Sequence, residues 1–308
     1  MRLPLDSIHL RLLGMAMIWG ASWPWGRIVA LNMPPLAAAA ARFLLASALL
    51  LVWMGRSGRL RGLRNLSSRQ WLGLALAAAT GVFGYAVFFM LALQSVPSSR
   101  AVLAIALNPV ATLLLAALVF KERLNGAIAL GMLLAICGAL LAIASGAPAP
   151  SSQLPGAGSQ AGLGEWLLLG CVLCWAAYTL IGRAVLTRVD ALSATGVSSV
   201  LGALLLVLLS LGVEGPSAWR AMAQAPAAAW WSLLALSFGA AALAYAWYYA
   251  GVKALGAGAA SGYITLVPVF GVLCSSLWLG EPLGAKLLLG GLLAIGGMAL
   301  MHWGRLRA

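Results

Sequence analysis

Charge is scarce in this chain. Lysine, arginine, aspartate and glutamate make up 8% of its 308 residues; only six are acidic, and there are two histidines and four cysteines. So little charge cannot cover the surface of a soluble domain of this length. The shortage also excludes much chemistry. No His/Asp/Glu set is available to form a nucleophile–base pair or a metal cluster on facing segments, and no Walker-type phosphate loop occurs. An enzyme is therefore not expected, nor a metal or cofactor. Cys137, Cys171, Cys174 and Cys274 all fall inside apolar runs. Cys171 and Cys174 form a C-x-x-C, but no second pair or histidine stands at ligand spacing, which leaves them as small packing residues.

What the chain has instead is apolar length. Hydrophobic residues make up 63% of it, and mean hydropathy is +1.00. Runs of about 20 apolar residues, each able to cross roughly 30 Å of hydrocarbon, recur from end to end. Within lipid only helices and closed barrels satisfy every backbone group, and these runs are too long for barrel strands. The pattern predicts an all-α polytopic membrane protein with ten spans, near 10–31, 35–54, 71–93, 99–120, 126–145, 164–182, 191–212, 228–250, 257–279 and 284–303. Arg2 and Arg11 ahead of the first run resemble a signal peptide, but no small-residue cleavage site follows. The run is read as an uncleaved first span.

Net charge is +13, yet the basic residues sit in short loops between apolar runs, which argues for membrane orientation rather than nucleic acid. With a cytoplasmic N-terminus, fourteen lysines and arginines fall on inner segments and four (Arg27, Arg100, Arg220 and Lys286) on outer ones. That asymmetry places both termini in the cytoplasm. The stretch SGAPAPSSQLPGAGSQAGLG, free of Lys and Arg, reads as an external linker. It divides the chain into 1–145 and 164–308, with the linker at 146–163.

The two parts repeat. LNPVATLLLAALVFKERL and LVPVFGVLCSSLWLGEPL pair Pro109 with Pro268 and Glu122 with Glu281, both at an offset of 159. Trp71 and Trp230, Gly131 and Gly290, and Gly138 and Gly297 share that offset, while Trp19 and Arg27 match Trp175 and Arg183 at 156. Five spans per half is an odd number, so the second half must be inserted upside down. Inverted repeats place a substrate site near the bilayer midplane, between halves.

On these residues the chain resembles the drug/metabolite transporter superfamily, EamA type. The likeness rests on IWGAS (Ile18 to Ser22), ARF (Ala41 to Phe43), NPV…KERL…G and VPV…GEPL…G, and runs over almost the whole length. It implies ten helices as two inverted five-helix halves, located in the bacterial inner membrane. It further implies export of small metabolites, amino acids among them. Alternatives are a carrier of a phosphorylated or lipid-linked substrate and, from another class, a non-transporting scaffold.

Several residues are candidates for the work. Pro109 and Pro268, placed near mid-span, each remove an N–H and free a carbonyl, of Ile105 and Ile264, which predicts paired kinks or gates. Asn108 is an amide at membrane depth, suited to a substrate or to interhelical bonding. Arg42 is the single intramembrane charge, costing about 2.5–3.5 kcal/mol on insertion scales. It meets an anionic substrate group, makes a structural contact or snorkels outward; Ser198 occupies its counterpart position. Trp19, Tyr85, Trp175, Tyr178, Tyr245 and Tyr263 lie well inside spans, where they either line a cavity or serve ordinary helix packing. Glu122 and Glu281, at span ends, are read as structural anchors. Glycine and alanine stripes in spans 5 and 10 predict close packing against each other or across a homodimer. The expected partners are the bilayer and a small-molecule substrate.

Overall fold

The order of elements follows from a few capping residues and prolines. In the computed structural model, which describes residues 5–121, 125–144, 162–255 and 262–306, no strand occurs among the described residues. Helix α1 (Leu5–Asn32) ends before Pro34, and α2 (Pro35–Arg56) begins on Pro35, whose missing N–H costs nothing in a first turn. A short 3₁₀ turn, Arg59–Asn65, carries three exposed arginines. Ser67 and Gln70 then form a reciprocal capping box that starts α3 (Ser68–Ser95). Pro97 precedes α4 (Ser98–Ala104), which breaks before α5 (Leu107–Phe120).

Asn125 accepts a hydrogen bond from the Ile128 N–H and opens α6 (Gly126–Ile143). Beyond the linker come α7 (Leu163–Val185) and α8 (Ala191–Val213), the latter capped by Asp190. Helices α9 (Pro216–Met222) and α10 (Ala227–Leu234) follow. A π-helical stretch, Ala235–Leu243, leads into α11 (Ala244–Leu255). The chain closes with α12 (Tyr263–Leu279) and α13 (Ala285–Leu306).

Seven helices among the described residues are long and apolar enough to cross a membrane, or eight if the pair Pro216–Met222 and Ala227–Leu243, bent by 104°, is one span. Helix α12 is apolar but shorter. Large apolar side chains such as Leu118, Leu277, Leu292 and Trp166 point outward, as lipid contact demands.

The glycine stripes of α6 and α13 meet each other inside the chain. A Cβ added at Gly138 would lie 2.3 Å from the Ala294 nitrogen, and one at Gly297 would lie 2.5 Å from the Gly131 carbonyl oxygen. Only bare backbone permits that approach. This face is therefore spent within one chain, and a dimer must use another. Elsewhere α2 packs along α8, α1 packs on α11 and α12, and α7 packs on α3 and α5.

One end of the bundle is tied by polar clamps. Glu214, just past α8, accepts hydrogen bonds from the Leu36 and Ala37 N–H groups at 2.9 and 2.8 Å, capping α2. Glu281, just past α12, accepts from the Ser98 and Ser99 N–H groups at 2.8 and 2.7 Å and from the Ser98 hydroxyl at 2.8 Å, capping α4. Arg27 donates to the Leu93 and Val96 carbonyls at the end of α3. Trp25 stacks on Trp278 at the same end, 5.6 Å between rings. Each clamp satisfies groups that a helix terminus leaves open. Glu122 lies outside the described residues.

Candidate functional site

Both prolines stand at breaks, but in the first turn after them rather than at a mid-helix kink. Pro109 is the third residue of α5, and Pro268 follows a 3₁₀ turn over Tyr263–Leu266. The carbonyls that the missing N–H groups leave open are taken by the preceding residue in each case. The Asn108 N–H donates to the Ile105 carbonyl at 2.9 Å, and the Val267 N–H donates to the Ile264 carbonyl. A tighter i−3 bond thus replaces the lost i−4 bond, and the backbone stays satisfied in lipid.

Between these breaks lies a cavity of about 290 Å³. Trp19 and Trp175 face it from α1 and α7, and Tyr85, Tyr178 and Tyr245 complete an aromatic lining. Two ring pairs bridge helices: Trp19 meets Tyr245 edge to face at 5.3 Å, and Trp175 meets Tyr85 at 5.8 Å. Within α7, Trp175 also meets Tyr178 at 5.8 Å. The Trp19 indole N–H donates to the Ala240 carbonyl at 3.0 Å, which satisfies its polar atom.

That carbonyl lies in a π-helical stretch, and a second such stretch lies on the other side of the site. Ala78–Gly84 inside α3 leads directly to Tyr85, as Ala235–Leu243 leads to Ala244 and Tyr245. Gly81 in the first of these lets the Tyr178 ring lie where a Cβ would be, 2.2 Å from its Cδ2. Such stretches are frequent at functional sites because they re-aim side chains and expose carbonyls. Hydropathy runs smoothly through both and carries no sign of them.

Arg42 and Asn108 also line the cavity. The Arg42 Nε and Nη1 are buried and have no hydrogen-bond partner, and its guanidinium carbon sits 5.1 Å from the Phe43 ring centre and 5.5 Å from that of Phe89. It does not snorkel outward. The Asn108 Oδ1 is likewise buried and unpartnered, so it is not bonding two helices together through that atom. Ser198, at the counterpart of Arg42, lines the cavity and donates to the Leu74 carbonyl.

Tyr263 is the exception among the candidates. It is not among the lining residues; its hydroxyl bonds the Nδ1 of His9 instead. Its neighbour Thr265 does line the cavity, because the 3₁₀ turn carries the chain past Tyr263 before the wall begins. His302, which hydropathy places near a span end, lines the cavity together with Met298 and Met301. Thr112, Thr179, Thr195 and Ser22 add hydroxyls that the sequence did not single out. Cys171 packs buried against the Tyr85 carbonyl, in keeping with a packing residue. Among the described residues no carboxylate lines the cavity, and no group of three or more His, Cys, Asp or Glu is placed to hold a metal.

Comparison with known proteins gives consistent results. The EamA-like transporter family matches the chain twice, over residues 7–144 and 162–303. An uncharacterized transporter, YyaM of Bacillus subtilis, is 28% identical over 297 residues, covering 95% of this chain and 92% of the relative. A probable terminal-alkyne amino-acid exporter of Streptantibioticus cattleyicolor is 30% identical over 244 residues, covering 78% of this chain and 76% of its own length. A solved crystal structure at 21% identity superposes with a TM-score of 0.66 and covers 96% of both chains, which supports a shared fold.

Proposed function

Because the chain belongs to the EamA-like transporter family, we propose that it is a secondary carrier that moves small amphipathic metabolites by alternating access around the aromatic cavity. It is an integral membrane protein, and its family is one of transporters rather than enzymes. The observation that carries the proposal is the pairing of walls. Trp19 with Tyr245 and Trp175 with Tyr85 are related in the way two inverted halves would relate them, each beside a π-helical stretch and each opposite a proline break.

In this reading the architecture is ten spans in two inverted five-helix repeats, 1–145 and 164–308, joined by an external linker at 146–163. The packing of α1 on α11 and α12 and of α7 on α3 and α5 supports that arrangement. The linker end, tied by Glu214, Glu281 and Arg27, is the closed outer side, and the cavity belongs to the inner-facing state. Its lining supports this, since it reaches Thr195 near the start of α8 and His302 near the end of α13. Trp19, Tyr85, Asn108, Trp175, Tyr178 and Tyr245 contact the substrate, and the segments around Pro109 and Pro268 move. Small metabolites such as amino acids, carried outward across the inner membrane, are the substrate class, in line with the name of the Streptantibioticus relative. A phosphorylated substrate fits less well, because among the described residues Arg42 and His302 are the only basic side chains in the lining.

The test is reconstitution in liposomes with screening of metabolite pools for counterflow. Accumulation of a labelled metabolite against an unlabelled internal pool is expected. Absence of counterflow with every pool, in correctly inserted protein, refutes the carrier and favours the scaffold.

A further inference from the structure

Arg42 has a property that the packing of the protein does not explain. Its Nε and Nη1 are buried without a hydrogen-bond partner, although a guanidinium is among the most demanding donors a protein holds. The phenols of Tyr85 and Tyr245 line the same cavity, and the rings of Phe43 and Phe89 lie near the guanidinium. None of these supplies a negative charge at neutral pH. Among the described residues, three acids are engaged elsewhere: Asp190 with Arg59, Glu214 with the start of α2, and Glu281 with the start of α4. Glu165 stands in the first turn of α7, more than two turns before Trp175. A buried charge persists when something pairs with it, and here the open place beside it is the cavity.

We infer that Arg42 is the charge-selecting residue of the site, and that the transported species carries one anionic group, a carboxylate by preference, on a largely apolar body. This rests on the carrier proposed above. A single fixed cation is neutralised by a single carboxylate, which a guanidinium binds through two parallel N–H donors. A dianionic phosphate leaves excess charge in a cavity where, among the described residues, His302 is the one other basic side chain and the rest of the wall is aromatic rings, aliphatic groups, hydroxyls and the Asn108 amide. A cation without an anionic group meets Arg42 with repulsion and no carboxylate in compensation. An ammonium on the same molecule has the free Asn108 Oδ1 and the faces of Trp19 and Trp175 as acceptors, so zwitterions are admitted.

A kinetic consequence follows. The empty carrier must pass through its closed state with a bare guanidinium, whereas the loaded carrier passes through with a neutral pair. Reorientation of the loaded form is then faster, and exchange outruns net flux. Ser198 at the counterpart position gives the second half no such charge, so one anionic group per cycle is the stoichiometry.

The experiment uses full-length protein in liposomes and a defined mixture of amino acids, monocarboxylates, monoamines, nucleosides and sugar phosphates, with exchanged species identified by mass spectrometry. Expected are exchange confined to carboxylate-bearing members, at least a tenfold preference for an exchanged acid over its amide, and exchange at least tenfold faster than net efflux. Arg42→Gln is expected to lower acid exchange at least tenfold and to abolish the acid-over-amide preference, while Arg42→Lys keeps its direction. Exchange of monoamines or nucleosides by the wild-type protein overturns the inference and leaves the carrier standing. A sugar phosphate preferred over every monocarboxylate overturns the proposed class. Arg42→Gln with unchanged preference removes Arg42 from the role, and no exchange of any member removes the carrier and this inference together.

Discussion

Glu281 shows how one side chain can serve a helix to which it does not belong. Its carboxylate accepts two N–H groups and a hydroxyl at the start of α4, and Ser98 in turn bonds the Ser275 hydroxyl of α12 at 2.9 Å. A carboxylate at a helix N-terminus combines charge-assisted bonds with a favourable macrodipole. Glu281→Ala removes all three bonds and leaves two first-turn N–H groups open. It is expected to cost about 1–3 kcal/mol, seen as a lower unfolding temperature in detergent, with Glu281→Gln in between. An unchanged unfolding temperature for the alanine variant would show that water satisfies those donors equally well. Glu214 does the same for α2, but nothing near it in the sequence identifies the helix it caps, which lies more than 170 residues away.

At the scale of the element, the breaks at Pro109 and Pro268 are the informative features. Alanine at either site restores an N–H that can bond the carbonyl four residues back, those of Ile105 and Ile264. The Asn108 and Val267 N–H groups that now hold those carbonyls would be released toward a continuous helix. The double variant Pro109→Ala, Pro268→Ala is expected to fold about as stably as the parent, since proline in a first turn carries little of the roughly 3 kcal/mol that it costs in a helix interior. Its exchange rate is expected to fall severalfold, because straightened segments resist the bend that reorientation uses. Unchanged exchange at normal expression would reduce both prolines to packing features. The π-helical stretches before Tyr85 and Tyr245 are a second element-scale device, and they place a carbonyl within reach of the Trp19 indole.

For the whole molecule, the proposed orientation rests on the charge bias and sets the cavity side inward and the clamped side outward. The exposed turn Arg59–Asn65 is on the side of the cavity's lining at Thr195, and the exposed Gln224 is on the clamped side. In a background without the four native cysteines, Gln224→Cys in sealed cells is expected to react with a membrane-impermeant thiol reagent, while Arg61→Cys reacts only after permeabilisation. The reverse pattern would invert the orientation and with it the identity of the closed gate.

The sequence by itself determined the helical membrane character, the positions of the long apolar segments, the paired prolines and most of the aromatic lining. These follow from composition and periodicity, which act locally and repeat at a fixed offset. Tertiary structure alone decided the rest. Tyr263 and Thr265 stand two residues apart, and only the 3₁₀ turn determines which of them lines the cavity. His302 reaches the cavity because α13 is held against α6 by backbone contact at four glycines. Arg42 could have snorkelled by its depth in the sequence; it is the surrounding helices that enclose its Nε and Nη1 and leave these two without a partner. Hydropathy records how apolar a position is. It does not record which neighbours a folded bundle brings to it, and in this protein that difference defines the site.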